Sequence, residues 1–239
     1  MDERFEPVIC EHGGVGLEGF CARPKGSGAH AAVLMVPGAT GPGPSFAAAV
    51  QTLADAGYLA IAIDMYGRGA DISTPQTAGR YFADLMARPD VLRERIVTWF
   101  QTVRALPDVD ANRVAAIGYC FGGKCVLELA RSGAPVRAVS SFHGLLATHA
   151  PARPGAVPAR IAVWTGGRDP YVPRGDFDAL RAELDAAGAD YAATEFARAC
   201  HAFTDPDHDG IAEGIAYDPT AHRIAWSGTL ALLEVTLAA

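Results

Sequence analysis

Short apolar segments, each followed by a segment with helical spacing, recur along the whole chain. Residues 31–36, 58–63 and 113–118 are apolar at nearly every position; the first two runs are followed directly by Pro37 and Asp64, and the third ends in Gly118. A strand that is apolar throughout has both of its faces buried, as in a parallel sheet covered by helices on both sides. The alternation therefore predicts an α/β protein with a mostly parallel central sheet.

The same reading extends over the rest of the chain and predicts one domain over residues 1–239. The expected strands are 5–10, 15–23, 31–36, 58–63, 113–118, 136–142, 160–165 and 190–196, and the expected helices are 44–56, 90–106, 121–132, 176–187 and 219–237. The first two strands flank His12-Gly13-Gly14 and are expected to form an antiparallel hairpin. Residues 65–89 have no firm periodicity and are interpreted as a partial lid.

Composition excludes several kinds of partner. The formal net charge is −7, and Lys25 and Lys124 are the only lysines, so no basic surface for nucleic acid or anionic lipid is expected. No apolar run reaches the roughly 18 residues that a membrane-spanning helix needs, and the acidic N-terminus does not resemble a secretory leader. Five scattered cysteines without a CxxC pair predict reduced thiols and a cytoplasmic location, and the excess of Arg over Lys suggests a bacterial source.

The segment that carries chemistry is Gly118-Tyr119-Cys120-Phe121-Gly122, between a predicted strand and a predicted helix. Gly-x-nucleophile-x-Gly at such a junction is the nucleophile-elbow pattern, here with cysteine in place of serine. The tight turn leaves no room for side chains beside the nucleophile, which accounts for the glycines. The amides at the start of the following helix favour a thiolate at Cys120.

An elbow requires an acid and then a histidine later in the chain. Asp169 and His201 occur in that order, each just after a predicted strand. Cys120, His201 and Asp169 are therefore the expected nucleophile, general base and orienting acid. His143, after another strand, is the rival base, and Asp64, which precedes the elbow, is the rival acid. His208 and His222 are expected at the surface.

Two other motifs are incomplete. Gly118-x4-Gly123-Lys124 matches a phosphate-binding loop until Cys125, which stands where a hydroxyl should bind magnesium. The acidic run from Asp205 to Asp209 resembles the start of a calcium loop, but Ala216 occupies the position of its final glutamate. Neither motif predicts a metal or a cofactor.

Taken together, these motifs resemble the dienelactone hydrolase family of α/β hydrolases. The resemblance covers nearly the whole chain and rests on the hairpin, Ile63-Asp64-Met65-Tyr66-Gly67, the elbow, Gly167-x-Asp169-x-x-Val172-Pro173 and His201-x-Phe203. It implies an α/β-hydrolase fold and a cofactor-free hydrolase of esters or lactones, acting as a monomer or a homodimer. It also implies that the backbone amides of Phe121 and Ala39 form the oxyanion hole.

Two positions depart from the family pattern. Gly38 stands where dienelactone-cleaving members have a glutamate near the thiol, and Asp205 stands where they have a carboxylate-binding arginine. These differences favour a neutral or differently shaped ester over dienelactone. Gly38, Arg80 and His143 are the expected substrate-binding residues. The alternative function is a redox-sensing or acyl-binding thiol on an inactive hydrolase scaffold.

Overall fold

The computed structural model describes residues 5–238, in which eight strands form one sheet. The strands are β1 (Glu6–His12), β2 (Val15–Ala22), β3 (His30–Val36), β4 (Leu59–Ala62), β5 (Val109–Tyr119), β6 (Ala138–Phe142), β7 (Arg160–Gly166) and β8 (Asp190–Phe196). Their order across the sheet is β1-β2-β4-β3-β5-β6-β7-β8. β1 and β2 pair antiparallel, β2 pairs antiparallel with β4, and all other neighbours are parallel. The predicted mostly parallel sheet with an N-terminal hairpin is confirmed.

Helices cover both faces of this sheet. They are α1 (Pro44–Asp55), α2 (Pro75–Met86), α3 (Pro89–Arg104), α4 (Phe121–Arg131), α5 (Arg174–Ala187) and α6 (Pro219–Leu237). In β3, Leu34 and Val36 join the core against α3 and α4, whereas Val33 and Met35 join the core against α1 and α6. Successive side chains of a strand point to opposite faces, so a continuous apolar run serves both cores.

α2 corrects the sequence reading of residues 65–89, where no helix was predicted. The helix begins after Thr74, whose hydroxyl accepts a hydrogen bond from the amide of Thr77, and Pro75 occupies its first turn. Only Ala78 and Leu85 of this helix are buried. So short an apolar stripe gives a weak periodic signal, and the proline after a capping threonine was the stronger sign of a helix start.

The parallel arrangement places the functional residues at one edge of the sheet. The segments after β3, β5, β6, β7 and β8 all leave from carboxyl ends, where ligands bind in open α/β sheets. The predicted single domain spans residues 1–239 and stays a prediction, and its residues 1–4 and 239 lie outside the described residues.

Candidate active site

Cys120 lies at the junction between β5 and α4 in a strained backbone conformation. Its φ is +53° and its ψ is −116°, values rarely adopted by a residue with a Cβ. The Cys120 amide donates a hydrogen bond to the carbonyl of Phe142 (3.0 Å), which ties the turn to the end of β6. The sharp turn leaves the half-buried thiol facing a cavity.

The flanking glycines allow this turn to pack against its surroundings. A Cβ on Gly118 would lie 2.0 Å from the carbonyl oxygen of Gly122, and a Cβ on Gly122 would lie 2.1 Å from the carbonyl oxygen of Val36. Both distances are far below van der Waals contact, so larger residues would force the backbone apart.

The three residues expected to form the triad are brought together. His201 Nε2 lies 3.1 Å from Cys120 Sγ, and His201 Nδ1 lies 2.8 Å from Asp169 Oδ2. His201 and Asp169 are both buried, and they follow β8 and β7 respectively. The second carboxylate oxygen of Asp169 accepts a hydrogen bond from the amide of Tyr171 (2.8 Å), which fixes its orientation.

This arrangement changes the proton affinity of the histidine. Burial by itself would lower the pKa of His201, but the hydrogen bonds with Asp169 and Cys120 outweigh burial and raise the pKa to about 10. The His201 ring is packed edge-on between the rings of His143 (5.1 Å) and Tyr171 (4.8 Å). A histidine held in this way can take the proton from the thiol and keep the correct ring orientation.

His143 is placed in the cavity wall beside the triad. Its Nε2 lies 2.8 Å from Thr204 Oγ1. Burial, reinforced by the nearby charge of His201, lowers the pKa of His143 well below its usual value. The ring is therefore neutral, and it is hydrogen-bonded to the hydroxyl of Thr204 rather than to the thiol of Cys120.

Tyr66 contacts both residues expected to form the oxyanion hole. Its hydroxyl donates to the carbonyl of Ala39 (2.9 Å), and its ring stacks on the ring of Phe121 (5.7 Å). The loop that carries Tyr66 is in turn held by Trp99, whose indole donates to the carbonyl of Asp64. The Phe121 amide opens α4, where helix geometry leaves it without an intrahelical acceptor.

The thiol opens into a cavity of about 310 Å³, called here the nucleophile cavity. Its wall includes Ala39 and Tyr119 together with residues from the segment that follows β8. His208 and His222 also line it; both are half-buried, so they lie partly at the surface as predicted and border the cavity as well. Residues 202–218, which include His208, contain little regular structure, and the sequence there gives no periodicity that would place this side chain, whereas His222 lies in the first turn of α6.

The other expected site residues have mixed placements. Gly38 lines the nucleophile cavity, and a Cβ on it would lie 3.6 Å from Cys120 Cβ. Arg80 is exposed on α2 and is not among the residues that line this cavity. Asp64 accepts hydrogen bonds from the amides of Tyr66 and Gly67, which is a turn-stabilising role rather than that of the triad acid.

Two kinds of feature are absent from residues 5–238. No cluster of three or more His, Cys, Asp or Glu side chains in this range is arranged to hold a metal ion. No helix in the same range combines the length and the apolar character needed to cross a membrane.

A sheet with this strand order, with a cysteine after β5, an aspartate after β7 and a histidine after β8, defines an α/β-hydrolase fold. Comparisons with known proteins then identify the family. The family model described as "Dienelactone hydrolase family" matches residues 17–237. The chain belongs to this family, and it is accordingly a carboxylic ester hydrolase.

Individual relatives agree with that assignment. A crystal structure of a dienelactone hydrolase-like promiscuous phosphotriesterase from metagenomic libraries is 30% identical, covers 98% of both chains and has a TM-score of 0.91. A Salmonella typhimurium protein named "Putative carboxymethylenebutenolidase" is 27% identical over 88% of this chain and 82% of its own. A Bradyrhizobium protein named "Probable 2-oxo-3-(5-oxofuran-2-ylidene)propanoate lactonase" is 27% identical over 90% of this chain and 88% of its own.

Proposed function

We propose that this protein hydrolyses small carboxylic esters or lactones through a thioester formed on Cys120. The observation that carries the proposal is the continuous set of contacts from Cys120 Sγ to His201 Nε2 (3.1 Å) and from His201 Nδ1 to Asp169 Oδ2 (2.8 Å). A nucleophile, a base and a group that orients the base are the parts that acyl transfer requires.

In the first half of the reaction, His201 Nε2 takes the proton from Cys120 and the sulfur attacks the ester carbonyl. The oxyanion accepts hydrogen bonds from the amides of Phe121 and Ala39. When the tetrahedral intermediate collapses, the carbon–oxygen bond breaks and the alcohol oxygen takes the proton from His201. The acyl group is then held as a thioester.

In the second half, His201 takes a proton from water and the resulting hydroxide attacks the thioester carbonyl. The carbon–sulfur bond breaks, the carboxylic acid leaves, and the sulfur recovers its proton from His201. Asp169 remains ionised throughout and stabilises the imidazolium that forms in each half.

The charges around the nucleophile cavity favour an uncharged substrate. Asp205 lines this cavity and forms a hydrogen-bonded pair with His208 (2.8 Å). The residues of the described chain that line it include neither Lys nor Arg. A substrate carboxylate would therefore meet the carboxylate of Asp205 without a permanent positive charge beside it.

The proposal is tested by hydrolysis of p-nitrophenyl acetate by the wild type, Cys120→Ala and Cys200→Ala, without added metal. Cys120 and Cys200 are the two half-buried thiols of the five, so Cys200→Ala is a matched control. We expect turnover in the wild type and in Cys200→Ala, and its loss in Cys120→Ala. Equal turnover in Cys120→Ala would show that another group is the nucleophile. A wild type that is oxidised readily at Cys120 but turns over no ester would favour a redox-sensing or acyl-binding thiol.

A further inference from the structure

A second cavity of about 380 Å³ lies on the other side of the loop that follows β3. Its lining is largely apolar and includes Phe20, Met65, Tyr66 and Ile72. It is bounded by residues 62–72, by residues 36–42 and by β2. A mainly apolar cavity of this size is typical of a small-molecule site.

The second cavity adjoins the nucleophile cavity at the catalytic centre. Gly38 and Gly41 line both cavities. Of the two residues proposed to donate the oxyanion-hole amides, Ala39 lines the nucleophile cavity and Phe121 lines the second cavity. A carbonyl whose oxygen is bound between these two amides therefore lies at the boundary between the cavities.

The position of the base decides which half of an ester faces each cavity. His201 lines the nucleophile cavity and is not among the residues that line the second cavity. The departing alcohol must take its proton from His201 Nε2, so the alcohol belongs on the His201 side. The acyl chain leaves the carbonyl carbon in the other direction, towards the second cavity.

We propose that the second cavity binds the acyl group of the ester, and that this group is apolar and uncharged. The inference rests on the proposed thioester mechanism, because that mechanism fixes the carbonyl and the leaving group. The charged residues of the second cavity are already partnered. Arg68 pairs with Glu18 (2.8 Å), and the carboxylate of Asp64 accepts two backbone hydrogen bonds. The cavity thus offers apolar contact, and its charged groups already have hydrogen-bond or ion-pair partners of their own.

The test compares p-nitrophenyl acetate with p-nitrophenyl hexanoate in the wild type and in Ala70→Trp. Ala70 lines the second cavity and is not among the residues that line the nucleophile cavity, so the added ring fills acyl space without touching Cys120. We expect the ratio of kcat/KM for hexanoate to kcat/KM for acetate to fall by about 10-fold or more. The matched control is Ala29→Trp, at an exposed position that is part of neither lining, and its ratio should equal that of the wild type.

Ile72→Ala makes the opposite change, because it enlarges the second cavity instead of filling it. This variant provides the test if Ala70→Trp does not fold. Removing this side chain enlarges the second cavity, so the ratio for decanoate over hexanoate should rise. An unchanged hexanoate-to-acetate ratio in a folded Ala70→Trp would overturn the acyl-site assignment. If Ala70→Trp does not fold, an unchanged decanoate-to-hexanoate ratio in Ile72→Ala would do the same. Either result would leave the cysteine mechanism intact. A wild type without turnover that depends on Cys120 would instead overturn the proposed function and the acyl site with it.

Discussion

Of the histidines that line the nucleophile cavity, two form a 2.8 Å hydrogen bond from Nδ1 to an aspartate. His201 is paired with Asp169, and His208 is paired with Asp205. The pairs differ in what surrounds them. His201 and Asp169 are buried, and His201 Nε2 faces Cys120, whereas His208 and Asp205 are half-buried and His208 Nε2 lies 3.4 Å from the hydroxyl of Thr40.

Because the histidines of two such pairs line one cavity in different surroundings, a histidine–aspartate pair does not by itself define a catalytic site. The His201 pair lies beside Cys120, which has a strained backbone at a helix N-terminus, and beside the amides expected to form the oxyanion hole. The His208 pair instead connects the segment after β8 to α1, because Ser45 donates hydrogen bonds to Asp205 and Asp207. We therefore assign catalysis to the first pair and a structural role in the cavity wall to the second.

The largest expected effect comes from replacing each histidine in turn. His201→Ala should lower kcat/KM for p-nitrophenyl acetate on the order of 10⁴-fold, because it removes the base of both half-reactions. His208→Ala should change it by no more than about 5-fold, which corresponds to the net value of one hydrogen bond. Steady-state kinetics check both variants, with thermal unfolding to show that each is folded. A larger loss in His208→Ala than in His201→Ala would reverse the assignment.

Replacing the two aspartates should show the same contrast between the pairs, with smaller losses of activity. Asp169→Asn keeps the side-chain shape but favours the wrong tautomer of His201, so kcat should fall on the order of 10³-fold. Asp205→Asn should leave kcat within about 5-fold of the wild type. Both variants are measured with saturating ester. Equal losses in kcat would mean that the two pairs act together.

A smaller effect is expected from Tyr66→Phe, which tests the loop beside the His201 pair. The change removes the hydrogen bond to the Ala39 carbonyl and keeps the stacking on Phe121. Because one hydrogen bond that positions the loop is lost, kcat should fall by about 2- to 10-fold with little change in KM. The matched control is Tyr191→Phe at the start of β8, the end of this strand opposite the one that leads to His201, where the tyrosine hydroxyl donates to Asp185. A change in KM alone would indicate a binding role for Tyr66.

The pH dependence of stability tests the buried pair without any substrate. The pKa of His201 is raised to about 10, above the value near 6.5 expected in the unfolded chain. Protonated His201 therefore contributes stability that is fully present below about pH 6.5 and is lost as the pH rises towards about 10. Urea unfolding of the wild type and His201→Gln should show a free-energy difference that shrinks over this interval. A difference that grows with pH would contradict the raised pKa.

Much of the fold could be predicted because burial on two faces leaves a clear sequence pattern. The fully apolar strands β3 and β4 and the amphipathic α3 were identified from their spacing, and the glycines around Cys120 marked the turn. α2 was missed because only Ala78 and Leu85 of this helix are buried. Helix boundaries at Pro89 and Arg174 lie one or two residues before the predicted ones.

The cavities were beyond the reach of sequence reasoning. His208 and the loop that carries Tyr66 reach the site through irregular segments whose path depends on tertiary contacts, and His222 reaches it from the start of α6. One such contact is the hydrogen bond from Arg95 to the carbonyl of Met65 (2.6 Å). The order of Cys120, Asp169 and His201 required only the chain, whereas the shape of the substrate space required the folded molecule.

The thioester on Cys120 is the central claim, and mass spectrometry of the intact protein tests it most directly. The wild type and Cys120→Ala are mixed with p-nitrophenyl hexanoate and quenched in acid within the first turnovers. The masses of the proteins and of their peptides are then measured. We expect a wild-type species heavier by one hexanoyl group, located on the peptide that contains Cys120, removed by hydroxylamine and absent from Cys120→Ala. A hexanoyl adduct of the same amount on another residue, or in Cys120→Ala, would contradict it.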